Sequence, residues 1–106
     1  MNKRKIKTFD ERIEDYGSYV DDVDISPFEH LDAFLIRDSL YGNRHRLLSR
    51  QQELLKHYDS LLIQNAEKIE KHMSRIYNFK SSATIEKEKW WWRLDKIADG
   101  SLVITP

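Results

Sequence analysis

The chain has 106 residues, no cysteine, 40% hydrophobic and 34% charged side chains, and a formal net charge of zero. That length bounds it to one domain, 1–106, too rich in leucine, isoleucine and aromatics to be disordered throughout. Without cysteine there is no disulfide framework, thiolate metal site or cysteine nucleophile.

The zero balance hides blocks of opposite sign. Lys3, Arg4, Lys5 and Lys7 make 1–7 a basic tail, expected to be disordered. Residues 10–38 carry a net charge of minus eight, and residues 39–97 carry plus five. Opposite blocks in one small domain attract, so the acidic third is expected to fold over the basic remainder. The basic start leads into no apolar run, and no stretch approaches the ~18 apolar residues of a spanning helix. The expectation is a cytoplasmic protein with no membrane contact.

In chain order, Thr8-Phe9-Asp10-Glu11 is a capping box and opens a short helix that Gly17 is expected to stop. Residues 18–26 then read as extended chain or loop, completing an irregular acidic N-terminal segment. Ser26-Pro27-Phe28-Glu29 supplies an N-cap serine, a proline at the first helical position and a glutamate at the third. This predicts a helix over about 27–41, with Phe28, Leu31, Phe34, Leu35 and Leu40 as its apolar face. Gly42 and Asn43 are expected to end it in a left-handed conformation.

From Arg44 to Tyr77 there is no glycine or proline, and Leu48, Leu55, Leu62, Ile69 and Ile76 recur every seven residues. Gln51, Tyr58, Asn65 and His72 form a second, polar row. The pattern predicts one long heptad helix, 44–77, of about 51 Å at 1.5 Å per residue. Such a length exceeds a domain of this size, so the helix either breaks near Ser49, where a capping box could restart, or makes the molecule elongated. Leu48, Leu55, Leu62, Asn65 and Ile69 are the candidates for helix pairing in a homodimer, with Asn65 able to fix the register.

Thr84 is expected to cap a last helix reaching about Ala98, before Gly100. It carries Trp90, Trp91 and Trp92, which sweep about 200° of an α-helix, more than one core-facing stripe. Trp90 aligns with Leu94 and Ile97 and is expected to be the core member. Trp91 and Trp92, with Lys87 and Arg93, form the candidate partner surface. Basic and aromatic residues also interleave in platforms for single-stranded nucleic acid, but Glu86, Glu88 and Asp95 cut the positive field here.

No chemistry-bearing motif stands out. His30, His45, His57 and His72 lack metal-ligand spacing, and Asp22-x-Asp24 fails as a calcium loop because Pro27 and Ala33 stand where glycine and glutamate are required. There is no G-x-S-x-G and no phosphate-cradling glycine loop, and no cofactor is implied. The expectation is an all-α fold: a small antiparallel helical bundle around the long helix, with short flanking helices. The expected function is non-catalytic, a small interaction or regulatory protein that binds a protein partner through its helical surface. The alternative is a nucleic-acid-associated regulator using a basic ridge of Arg44, Arg46, Arg50, Lys68, Lys71 and Arg75.

Overall fold

The structure, a computed structural model, describes residues 6–106, which contain helices and no strand. The predicted basic residues Lys3, Arg4 and Lys5 lie outside the described residues, whereas Lys7 forms an ion pair with Asp15. Five α-helices follow one another: α1 (Phe9–Asp21), α2 (Pro27–Gly42), α3 (Ser49–Gln64), α4 (Ala66–Met73) and α5 (Leu94–Ala98). No helix among the described residues is long and apolar enough to cross a membrane.

Helix α1 begins with the predicted capping box: Thr8 Oγ1 accepts from the Glu11 N–H, and Glu11 accepts from the Thr8 N–H. It does not stop at Gly17, however, and residues 18–21 are helical. Gly17 is a close-approach glycine. A β-carbon there would lie 2.4 Å from the Tyr58 ring, so the residue lets α3 sit against the α1 backbone. Ile13, Tyr16, Gly17 and Val20 form the buried face of α1.

Helix α2 starts as predicted, with Ser26 Oγ accepting from the Phe28 N–H at 3.1 Å. Its end differs. Gly42 and Asn43 keep negative φ, and Asn43 closes the helix through its own N–H to Ser39 and Leu40 carbonyls. The buried face also differs, for it is His30, Ala33, Phe34, Arg37 and Leu40.

The single heptad helix is absent, and the longest helices have 16 residues. Arg44–Arg46 form a 3-10 turn, and α3 starts at Ser49. The cap is Gln51, whose Oε1 accepts from the Leu48 N–H at 2.8 Å. A second break falls at Asn65, where the side-chain Nδ2 donates to the Val20 carbonyl at 3.0 Å. A terminal carbonyl of α1 is thereby satisfied by a side chain from another helix. These breaks fold the segment into a molecule of 42 × 33 × 27 Å.

The two heptad rows nevertheless have distinct jobs. Leu55, Leu62 and Ile69 enter this chain's own core with Phe34, Met73 and Leu94. The polar row faces α1 and α2: Gln51 meets Asp10, Tyr58 meets Glu14, Asn65 meets Val20 and His72 meets His30. Its first three contacts advance together along α1 and α3.

The predicted tryptophan helix from Thr84 is also absent. Phe79–Thr84 and Trp90–Arg93 are 3-10 helices, and only Leu94–Ala98 is α-helical. The Ile85 and Glu86 carbonyls are taken by the Arg93 guanidinium, which competes with a regular helix there. Gly100 ends α5 with φ +83°, a conformation glycine adopts without strain. The last residues, 101–106, form no strand: Leu102 and Ile104 are half-buried and Val103 is exposed.

Candidate functional site

The most tightly organised polar group in the molecule lies inside it. Tyr16 of α1, Arg37 of α2 and Asp59 of α3 are brought together because each sits on the buried face of its helix. The Arg37 Nε and Nη2 atoms each donate to a different Asp59 oxygen at 3.0 Å. The Tyr16 hydroxyl donates to Asp59 Oδ1 at 2.6 Å. The Trp91 ring covers the guanidinium at 4.4 Å, a cation–π contact that excludes water from one side of the pair. Burial, with the Asp59 charge as a second cause, pushes the Tyr16 hydroxyl well above its ordinary value, so it remains a donor. The carboxylate thus receives three hydrogen bonds. A buried ion pair is sustained only when its remaining lone pairs are satisfied in this way.

The same centre reverses the expectation for the tryptophans. Trp91 is fully buried, Trp92 is buried and Trp90 is half-buried. In a 3-10 helix residues three apart eclipse, so Trp91 shares its face with Leu94, also fully buried. The Trp91 and Trp92 indole N–H groups both donate to Asp38 Oδ1, each at 2.8 Å. Trp92 continues into an aromatic cluster, 5.2 Å from Phe34 and 5.4 Å from Tyr77 between ring centres.

The predicted partner surface of Trp91, Trp92, Lys87 and Arg93 is therefore not assembled. Only Lys87 is exposed, and Arg93 is half-buried on the Ile85 and Glu86 carbonyls. The helix-pairing row is likewise spent within one chain. Leu55, Leu62 and Ile69 are buried, Asn65 is bonded to Val20, and Leu48 alone is exposed. The predicted basic ridge is split. Arg44 stacks on Tyr41, Arg46 donates to Asn43, and Arg50 forms a two-pronged pair with Asp10. Lys68, Lys71 and Arg75 stay together, lining one cleft with His72.

The surface feature that the sequence reading missed is the outer face of α2. Phe28 is 64% exposed and Leu35 is 52% exposed; seven residues apart, they stand on the same side of the helix. The spacing places both on the predicted core face, since a helix apolar on two sides gives no single stripe. Beside Leu35 runs a groove between α1 and α2 of about 400 Å³, lined by Tyr19 and Ile36 and by balanced charges, Lys7 and Arg12 against Asp15 and Asp32. Around the α1–α2 corner, Asp21, Asp22, Asp24, Glu29 and Asp32 form no ion pair among the described residues. The signal that could have found this face is the rival register of His30, Ala33, Arg37 and Leu40, which spaces a second, mixed stripe around the same helix. No protein-family model, curated protein or solved structure matches this chain.

Proposed function

We propose that this chain is a small, non-catalytic cytoplasmic interaction protein whose partner surface is the outer face of α2. The observation that carries the reading is the exposure of Phe28 and Leu35 on one face, with Leu35 lining the α1–α2 groove. Large apolar side chains left in water within a patch are what a protein interface uses as anchors. The acids of the α1–α2 corner that form no ion pair among the described residues, Asp21, Asp22, Asp24 and Glu29, favour a basic, amphipathic partner segment over a second copy of this chain, because self-pairing would set like charges against each other. The buried ionisable groups support a non-catalytic role, since Tyr16, Arg37 and Asp59 saturate one another.

Behind that face we read a small antiparallel arrangement in which α2 runs against α1 and against the α3–α4 segment. Arg12 meets Ser39, Arg37 meets Asp59 and His30 meets His72, so partners on α2 retreat as those on its neighbours advance. A homodimer through the heptad row loses its support, because that row fills the core of one chain. The nucleic-acid reading keeps only Lys68, Lys71 and Arg75, one end of the proposed ridge.

A photo-reactive residue at position 28, combined with Leu35→Ser in a parallel sample, tests the proposal in the native cell. The expected result is a crosslink to a protein through a basic segment, greatly reduced by Leu35→Ser while the melting temperature is unchanged. Crosslinking unaffected by Leu35→Ser, or crosslinking only to another copy of this chain, would overturn it.

A further inference from the structure

A second surface differs from the α2 face in sign and in chemistry. Lys68, Lys71 and Arg75 occupy one ridge of α4 and the turn beyond it, at spacings of three and four residues. With His72 they line an open cleft of about 570 Å³, closed on the other side by Val23 and Asp24. Among the described residues, none of the three long cations is in an ion pair, and Glu70 is engaged by the Ser74 hydroxyl instead.

The histidine in this cleft is held in place from behind. His30 is fully buried, and its Nε2 lies 2.9 Å from the Asp22 carbonyl. A carbonyl only accepts, so Nε2 carries the proton and the Nδ1 of neutral His30 is a lone pair. That lone pair must accept from His72 Nδ1, 3.3 Å away, which fixes the His72 ring on the wall of the cleft. Burial, helped by the neighbouring His72, holds His30 below its ordinary value and so keeps it an acceptor. The Nε2 atom of His72 has no bonding partner among the described residues.

We propose that this cleft binds a small phosphate-bearing ligand, with Lys68, Lys71 and Arg75 as its donors and the fixed His72 ring as part of its wall. The charge balance favours an anion. Among the residues that line the cleft three are full cations and one, Asp24, is a carboxylate, while Asp22 and the roughly half unit of negative charge at the end of α4 lie behind them. The reach favours a small ligand over a nucleic-acid strand. The cations span about 10 Å of helix, enough for one or two phosphates, and the ridge does not continue, because Arg50 is occupied by Asp10. This inference stands apart from the proposed partner surface, since it uses no residue of the α2 outer face.

Amide NMR of the full chain, titrated with inorganic pyrophosphate, reads the site directly. Saturable shifts confined to α4 and the 22–24 turn are expected, with a dissociation constant near or below about 1 mM. The exposed double substitution Lys71→Gln, Arg75→Gln should weaken binding about tenfold or more without changing the melting temperature. Shifts that grow linearly without saturating, or equal affinity in the double variant, would overturn the proposal. So would a short single-stranded oligonucleotide that binds about tenfold tighter than pyrophosphate and steeply salt-dependently, for the cleft would then be part of a nucleic-acid surface.

Discussion

Two arginine–aspartate pairs in this protein have nearly the same geometry and opposite surroundings. Arg37 and Asp59 join through two bonds of 3.0 Å, with side-chain exposures of 11% and 7%. Arg50 and Asp10 join through bonds of 2.9 and 3.2 Å, with exposures of 65% and 55%. The first pair ties α2 to α3, adds Tyr16 from α1 and is roofed by Trp91. The second links the starts of α1 and α3 in water. Geometry alone therefore does not rank the two. Low dielectric and extra donors make the inner pair a fixed part of the fold, while solvent and salt weaken the outer one.

The sharpest way to break the comparison is Asp59→Ala. It leaves the Arg37 guanidinium buried beside Tyr16 and Trp91 without a counter-charge, and the expected cost is about 3–5 kcal/mol by denaturant unfolding. The double replacement Arg37→Met, Asp59→Leu should recover part of that loss, because both charges are then gone while the buried Tyr16 hydroxyl is left without its acceptor. A loss below about 1 kcal/mol for Asp59→Ala would mean that water reaches the pair, making it equivalent to the outer one. Tyr16→Phe is the intermediate case. It removes one hydrogen bond to a charged acceptor while keeping the ring packed, so about 1.5–3 kcal/mol should be lost. If Tyr16→Phe costs nothing, Asp59 does not depend on its third donor.

Neither pair was legible in the sequence, although much of the frame around them was. The capping signals at Thr8 and Ser26 depend on residues three positions apart, and they mark the starts of α1 and α2 as predicted. Gly17 was misread because the reason for it, the Tyr58 ring, lies far along the chain. The heptad spacing identified core residues, since Leu55, Leu62 and Ile69 are buried. It could not say that Asn65 would leave the helix to bond Val20. For the tryptophans the error was one of period. Read at 100° per residue, Trp90 faces the core; at the three-residue repeat of a 3-10 helix, Trp91 does, and Asp38 then holds Trp91 and Trp92 together. The candidate sites fared worst because they were built on that period and on a heptad helix with no break beyond Ser49, whereas a second break falls at Asn65. The exposed α2 face and the α4 cleft depend on which helix faces pack against each other, which local spacing does not specify.

Asp10→Asn is the smallest expected effect and the one that most sharpens the contrast. The hydrogen bond from Arg50, then that from Gln51, holds the Asp10 carboxyl below its usual value of 3.8. A carboxyl lowered by folding adds stability above its unfolded value and loses it as pH falls through the folded one. Near neutral pH, the wild-type protein should therefore melt slightly above the variant. That gap should begin to close near pH 3.8 and vanish as pH falls through the lower value of the folded protein, where Asp10 is neutral in both states. It should also narrow in about 1 M salt, where the screening length falls to about 3 Å. The loss from Asp59→Ala should persist in the same salt, because its partner is shielded from solvent ions by Trp91 and the helices around it. If the Asp10→Asn gap survives both acid and salt, the charge on Asp10 is not what it contributes, because the substituted amide keeps an oxygen able to accept from Gln51, and the contrast with the inner pair is then not one of screening.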